Sequence, residues 1–589
     1  HLFYEVPALA TLRRSSQLAL VRVHLLIGLT LTAAALIASP RLSAHGRKWC
    51  AAFIVGYLIR AVVWIAGGNL PLVPGDSCHY LEVATSITRG EGPVKHYVES
   101  FFLDYRPHGI LEPGRGVLDD WATPLWAYVL AGVYRLPGIV PGQSLEATVA
   151  VAKGTSFVLN LLCLPALYGF ARRRFDHGTA LGAMSLLAVL PVHVLYAGFG
   201  LRESLVALTS ILAVWFLTEI WHSQKAARWV WAVAAGVFGG LAILSRNTAL
   251  ALLAAAGLYG LFAHGRRHLG PLLAWGVVLL ATIAPWAWAT FQEYGEPFFT
   301  YTKFFPYNFS WAVHHYDQGI TRAADFYTLA NAPTIVRVKI KAIFIIVVTS
   351  TMIVSLPVAL GFVRRLRQPK VTIGRDTDRL VVIICAGFVL GTLTKVADVT
   401  QVAQLGRYFL PVFCLALPTA VAGLGGWLNE RVKPGAWPAL GCTLLALLWA
   451  DPTWAYDASW LVKPYQLHWP ALRASGDWVK DHPDVVPPGS RVLTWFPWEF
   501  RVASDRTTIL MPRNFHAATI GREADRYAVT HVLWGSFEPP PHVDPESFGP
   551  YLERLRLSLG LTDDLEVYRS PPGTLYPVRL YRTSRGGRP

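Results

Sequence analysis

Charge is scarce in this chain: 15% of its 589 residues are Asp, Glu, Lys or Arg, against 53% apolar. A soluble protein of this length divides into several cores, each wrapped in charged surface, and so little charge excludes that class. Cysteine is also rare. Of six cysteines, Cys50, Cys163, Cys385, Cys414 and Cys442 fall in apolar runs and only Cys78 lies outside them, so no disulfide framework is available. No internal repeat is evident, and nothing resembles a cleaved signal peptide, which leaves the first apolar run to act as the targeting signal. Acids are the scarcer charge, giving a net charge of +16. That excess sits largely in short loops between apolar runs, where topology and anionic headgroups account for it. With no nucleic-acid motif beside it, the charge does not imply a nucleic-acid partner.

What the chain does have is long apolar runs, each of about 17 to 25 residues, the length that spans a bilayer as helix. They fall near 18–39, 50–67, 148–170, 179–197, 201–219, 229–246, 248–264, 270–290, 338–363, 380–396, 406–424 and 436–450. The expected fold class is an α-helical polytopic membrane protein with about 12 transmembrane helices over residues 1–450. The shorter stretch 122–137, flanked by Trp121, Trp126, Tyr128 and Tyr134, suits a helix at the interface. Clusters such as Arg172–Arg174, Arg266–Arg267 and Arg364, Arg365 and Arg367 all fall on one side of this series, which makes that side cytoplasmic. The opposite side receives the loops 68–147 and 291–337 and the whole tail 451–589. Arg13 and Arg14 run against this orientation, and the chain begins with His1 rather than Met, so the expected native start lies further upstream.

Beyond residue 451 the pattern changes. Strand-like runs at 491–496, 508–511, 530–534, 565–568 and 578–581 alternate with helical patterns, which predicts a C-terminal exoplasmic α/β domain. The tail carries no glycine-rich phosphate loop and no metal-ligand spacing, and a lid or docking platform is the role expected of it.

The residues that bear chemistry gather at the outer ends of the apolar runs. Asp76 opens a helical pattern after Pro74-Gly75; it reads equally as a helix N-cap and as a functional carboxylate. Asp119 and Asp120 stand before Trp121 and read either as a helix N-terminus or as oxygen ligands for a divalent cation, Mg²⁺ or Mn²⁺. The other acids of the loop, Glu82 among them, are expected on a solvated surface. Arg202 and Glu203 open a later run, and the 100° step between helical neighbours predicts that only one of them faces a shared cavity. Arg246 and Arg407 are further cations near the same face, as is Lys303 in an aromatic-rich loop. Each arginine alone reads as an interfacial anchor, whereas several converging would form an anion site.

Taken in order, several segments resemble the GT-C superfamily of membrane glycosyltransferases, nearest the branch of the protein O-mannosyltransferases and the lipid A aminoarabinose transferase. They are Asp76-Ser-Cys-His-Tyr-Leu-Glu-Val-Ala84, Ala122-Thr-Pro-Leu-Trp-Ala-Tyr128, Ala171-Arg-Arg-Arg-Phe-Asp-His-Gly178, Arg202-Glu-Ser204, Leu244-Ser-Arg-Asn247, Ala284-Pro-Trp-Ala-Trp288 and Arg407-Tyr-Phe-Leu-Pro411. The resemblance implies a sugar donor on a polyprenyl phosphate, Asp76 as catalytic base, and inversion at the anomeric carbon. It further implies that cations such as Arg202, Arg246, Arg407 and Lys303 hold the donor phosphate. The acceptor would be a glycan, lipid or protein on the outer face, in what is expected to be a bacterial plasma membrane. Two departures stand out. Ser77 occupies the place where many relatives carry a second acid, leaving Glu203, Asp119 or Asp120 to supply one, and an extra span precedes the usual first one. A transporter or lipid flippase, or a glycan-polymer ligase, are the competing functions; transporters show repeated halves and charged or broken helices near the midplane, whereas this sequence has no clear repeat and no acid in mid-span, and its candidate residues crowd one external face.

Overall fold

The computed structural model describes residues 43–66, 76–98, 116–136, 145–265, 268–300, short pieces between 332 and 340, 355–367, 375–395, 405–431, 468–512, 516–535, 545–574 and 576–583. The expected runs at 18–39 and 436–450, and Lys303, lie outside these residues. In chain order the first elements are α1 (Ala44–Ala66), α2 (Asp76–Arg89), the short strands β1 (Val94–Lys95), β2 (Tyr97–Val98) and β3 (Val117–Leu118), and α3 (Leu125–Tyr134). The bundle continues through α4 (Leu145–Arg174), α5 (His177–Val189), α6 (Pro191–Tyr196), α7 (Glu203–His222), α8 (Lys225–Ser245), α9 (Ala249–His264), α10 (Leu269–Tyr294), α11 (Ser355–Arg367), α12 (Arg375–Lys395) and α13 (Leu405–Arg431). Among the described residues, five helices are long and apolar enough to cross a membrane: Ala147–Arg174, Glu203–His222, Lys225–Ser245, Leu269–Tyr294 and Arg407–Gly425.

Small residues let these helices approach. A Cβ added at Gly236 would lie 2.7 Å from Val278 Cβ, and one at Gly240 would lie 2.5 Å from Thr282 Cβ, so α8 and α10 pack backbone against side chain as small-xxx-small helices do in lipid. The expected continuous span 179–197 is not one helix. It breaks between α5 and α6, where Leu190 is extended ahead of Pro191, because proline lacks a backbone donor and disfavours helical geometry in the residue before it. Arg60 of α1, fully buried, takes up the carbonyls freed there. Its Nη1 donates to Ala188 O at 2.7 Å and to Gly56 O at 2.8 Å, its Nη2 to Leu187 O at 3.3 Å, and its Nε to Asn160 Oδ1 at 2.6 Å. The break aims the turn after α6 at the start of α2: Ser77 Oγ donates to Phe199 O at 3.3 Å, and Trp126 Nε1 donates to Gly200 O at 3.1 Å. Gly200 holds φ +65° there, a conformation that glycine adopts without strain.

The tail adds β4 (Arg491–Thr494), α14 (Pro497–Ser504), β5 (Thr507–Leu510), α15 (Ala517–Arg526), β6 (His531–Gly535), α16 (Pro545–Ser558), β7 (Glu566–Arg569) and β8 (Val578–Arg582). These strands join one six-stranded sheet in the order β2-β5-β4-β6-β8-β7. The first four are mutually parallel, and β8 runs antiparallel to both β6 and β7. The edge strand β2 comes from the first loop, more than 390 positions earlier in the chain, pairing Tyr97 with Thr508 and Val98 with Ile509. Loop and tail are therefore one folded unit.

That unit closes over α2. Arg501 Nε of α14 donates to Glu82 Oε1 at 2.7 Å, and His96 Nδ1 lies 2.9 Å from the same oxygen. Trp498 and Val502 pack on the apolar cluster that α2 and α3 share. Glu82 is thus buried rather than solvated, as are Asp119 and Asp120, because strands and tail cover a surface that the loop alone would expose. Burial pushes the Glu82 carboxyl up, but Arg501 and His96 outweigh it and hold it down at about 2.

Removing one partner of a buried ion pair costs about 3–5 kcal/mol. Arg501→Met is accordingly expected to loosen the tail, read as faster proteolytic release of residues beyond 468; an unchanged cleavage rate would contradict the junction. A carboxylate with a lowered pKa stabilises the fold above its ordinary value of 4.5 and loses that contribution as pH falls toward about 2. Pepsin digestion across that window is expected to show the tail loosening in wild type and to show a weaker pH dependence in Glu82→Gln.

Candidate active site at the mouth of the bundle

Asp76 is the first residue of α2, where the helix dipole favours an anion. Its Oδ2 accepts a hydrogen bond of 2.7 Å from Arg407 Nη1 at the start of α13. Burial raises the Asp76 carboxyl, and the Arg407 guanidinium, followed by Arg202, more than offsets it and holds the group below its ordinary value. The Asp76 side chain keeps 21% of its surface exposed, whereas Glu203 keeps none.

Glu203 faces the same cluster from α7. Its Oε1 accepts from Arg246 Nη2 at 2.7 Å and lies 4.0 Å from Arg407 Nε. Arg246 sits 4.4 Å over the ring of Tyr408, and Arg407 lies 5.2 Å from the centre of the same ring. Arg202 lies over the ring of Tyr80 at 5.6 Å and donates to Ser245 O at 3.3 Å. The structure therefore brings Asp76, Glu203, Arg202, Arg246 and Arg407 together. The expectation that Arg202 and Glu203 could not share a cavity is corrected: Arg202 is the cap residue, one position ahead of the helix. Its long side chain reaches Tyr80 on α2 while Glu203 points at Arg246 and Arg407.

Three guanidinium groups face two carboxylates here, an imbalance that suits an anion. Several polar atoms are buried without a hydrogen-bond partner among the described residues: Arg246 Nε and Nη1, Arg202 Nε, and Glu203 Oε2. Buried donors of this kind are costly unless something fills them, and the planar fork of arginine matches a phosphate group. Tyr80 and Tyr408 join the cluster beyond the site residues that the sequence suggests. Tyr80, one turn after Asp76, was the more legible, since its spacing puts both on one face of α2.

Asp119 and Asp120 are engaged elsewhere. Asp119 Oδ2 lies 3.1 Å from His79 Nε2, and its Oδ1 accepts from the backbone N–H groups of Trp121 at 2.9 Å and Ala122 at 3.3 Å. His79 Nδ1 pairs in turn with the Tyr97 hydroxyl, so the edge strand of the tail sheet reaches back to the helix that carries Asp76. Asp120 forms a buried ion pair with Lys95. A divalent cation between these two acids would meet the Lys95 ammonium and compete with bonds that Asp119 already makes, so this arrangement does not fit one. Among the described residues no group of three or more His, Cys, Asp or Glu side chains is placed to hold a metal ion.

A ligand that binds only the folded state raises the unfolding midpoint. Millimolar Mg²⁺ or Mn²⁺ is expected to leave the thermal midpoint of the purified chain unchanged. A clear rise that disappears in Asp119→Asn and Asp120→Asn would restore these acids as ligands.

The family model of dolichyl-phosphate-mannose-protein mannosyltransferases matches residues 123–288, which include Glu203, Arg202 and Arg246. No curated protein matches the chain in sequence. Among solved structures, the oligosaccharyltransferase AglB of the archaeon Archaeoglobus fulgidus, in complex with an inhibitory peptide and a dolichol-phosphate, aligns at 15% identity over 92% of this chain and 75% of its own, with a TM-score of 0.55. ArnT from Cupriavidus metallidurans aligns at 14% identity in the apo state, over 91% of this chain and 99% of its own, with a TM-score of 0.52. Its form bound to undecaprenyl phosphate gives 15%, 93%, 100% and 0.53 in the same order. At such identities the likeness is one of fold, and it runs nearly the full length of both chains in ArnT. The chain is thus similar in fold to AglB and ArnT, and in sequence over residues 123–288 to the dolichyl-phosphate-mannose-protein mannosyltransferase family.

Proposed function

We propose that this protein moves a sugar from a polyprenyl-phosphate donor to an acceptor nucleophile, with inversion, using Asp76 as general base. The observation that carries the reading is the meeting of a partly exposed carboxylate with three arginines, two of which hold N–H groups without a partner among the described residues. Solved structures of the same fold are described with dolichol-phosphate or undecaprenyl phosphate bound, which supports a donor of that class here. The Lys and Arg distribution favours the outer face of the membrane for Asp76, so the donor would arrive through the bilayer and need no nucleotide-sugar site.

In the proposed reaction the Asp76 carboxylate takes the proton of the acceptor hydroxyl or amine as that atom attacks the anomeric carbon. The bond from that carbon to the phosphate oxygen breaks with its electron pair going to the oxygen. The polyprenyl phosphate leaves with one more negative charge, and Arg202, Arg246 and Arg407 stabilise it as it grows. Glu203 holds Arg246 in place and supplies the nearby second acid. Asp119 and Asp120 have structural roles, on His79 and Lys95. The sugar and the acceptor are chosen by the loop and tail that close over α2.

A transporter would need a charged group inside the bundle free to meet its cargo. Arg60, a cation buried inside the bundle, is instead committed to carbonyls, Asn160 and His193, which favours the transferase.

General-base groups typically contribute about 10²–10⁴-fold to rate. Asp76→Asn is expected to lower turnover of a polyprenyl-phosphate-linked sugar by that order while the variant stays folded and still binds polyprenyl phosphate. Near-normal turnover would leave Asp76 as a helix cap alone.

A further inference from the structure

The Arg407 guanidinium sits between two carboxylates, 2.7 Å from Asp76 Oδ2 through Nη1 and 4.0 Å from Glu203 Oε1 through Nε. In that position it stands on the group that the proposed reaction needs as a base. A carboxylate held by a guanidinium is a weaker proton acceptor than a free one, because the pair stabilises its charged form. Beside it, Arg246 offers Nε and Nη1, and Arg202 offers Nε, all buried and without a partner among the described residues. An oxyanion seated on those donors would lie within the reach of Arg407.

We propose that Arg407 is an exchangeable clamp: it masks Asp76 while the site holds no donor, and an arriving lipid phosphate draws it away and frees the carboxylate. The inference rests on the reading of this cluster as a phosphate site. Arg407 can make the exchange by turning its terminal torsions, since Glu203 already lies on its other side and the ring of Tyr408 supports its guanidinium at 5.2 Å. A phosphodiester seated on the Arg246 and Arg202 donors presents its non-bridging oxygens to the same planar fork and so competes with the Asp76 carboxylate for it. The consequence is an order of events. Donor binds first, and only then can the acceptor find a competent base, so an acceptor alone or water alone meets a masked Asp76.

The groups facing Asp76 are Arg407 from α13, Arg202 from the cap of α7, and His79 from its own helix. Tyr80, Tyr408, Glu203 and Arg246 complete the surrounding cluster. Losing an opposite charge raises a carboxyl group by about 1–3 pH units, and a nearby phosphate anion would add to the rise by direct repulsion. The test must separate these two effects.

Purified full-length protein in detergent would be treated with a water-soluble carbodiimide and an amine, which label protonated carboxyls, and Asp76 labelling followed by peptide mass spectrometry across pH. The probe is undecaprenyl phosphate. In wild type the lipid is expected to move the labelling midpoint of Asp76 upward by about 1–3 units. In Arg407→Gln the midpoint should already be raised without lipid, and lipid should move it much less. Arg407→Lys, which keeps the charge, should stay near wild type without lipid and serves where the glutamine variant fails to fold. The clamp is overturned if lipid leaves the wild-type midpoint where it was, or if lipid shifts Arg407→Gln as far as wild type, since repulsion alone would then explain the rise. Failure of the base assignment reads out separately, as normal turnover in Asp76→Asn, and would leave this titration intact.

Discussion

The hydrogen bond from Arg407 to Asp76 joins residues 331 positions apart, and the architecture can be understood as what makes that bond possible. Asp76 needs a helix start at the bundle mouth, and Arg407 needs α13 to begin at the same level. Glu203 and Arg246 need α7 to start where α8 ends. Three arginines so close repel one another, and they are held together by the two carboxylates threaded between them and by the faces of Tyr80 and Tyr408. Such a cluster retains positive charge in excess and several unused donors.

Two devices keep the cluster in place, one on each side. Inside the bundle, Arg60 absorbs the carbonyls exposed where Pro191 ends α5 and so fixes the turn that carries Phe199 and Gly200 beneath Ser77 and Trp126. Outside the bundle, the tail sheet captures β2, and Tyr97 on that strand reaches His79, which leans on Asp119. Helix α2 is therefore gripped from below by the bundle and from above by the tail. The tail then acts on the site through the helix that bears Asp76, while Glu82 and Arg501 lock the two together.

The bundle also has a second charged end, remote in chain order from the site. Arg174 pairs with Glu219 at 2.9 Å, and Arg365 with Asp378 at 2.9 Å, with Thr419 donating to the same carboxylate. These arginines belong to the basic loops that set the expected orientation. Their acids lie at the ends of α7 and α12 away from Glu203 and Arg407, so the arginines that anchor the helices and those that converge on Asp76 occupy opposite ends.

Much of this was legible in the sequence, because bilayer thickness imposes a run length that no tertiary context alters. The five apolar helices, the placing of Asp76 at a helix start, and the grouping of Arg202, Arg246 and Arg407 on one face all follow from run lengths and from which end of a run each residue occupies. Three features did not. The break at Leu190–Pro191 was hidden because Arg60, on another helix, satisfies the carbonyls that would otherwise forbid it inside an apolar run. The burial of Glu82, Asp119 and Asp120 was hidden because Arg501, His79 and Lys95 neutralise or bind them, and Arg501 comes from a distant part of the chain. The division of labour among the acids was hidden for the same reason: spacing placed Glu203 and the Asp119–Asp120 pair on equal terms. What the sequence determined by itself was the periodicity and the end of each helix at which charge sits, which are local matters. Which cation meets which carboxylate was decided by the tertiary structure, because such pairing depends on ångström distances between segments hundreds of residues apart.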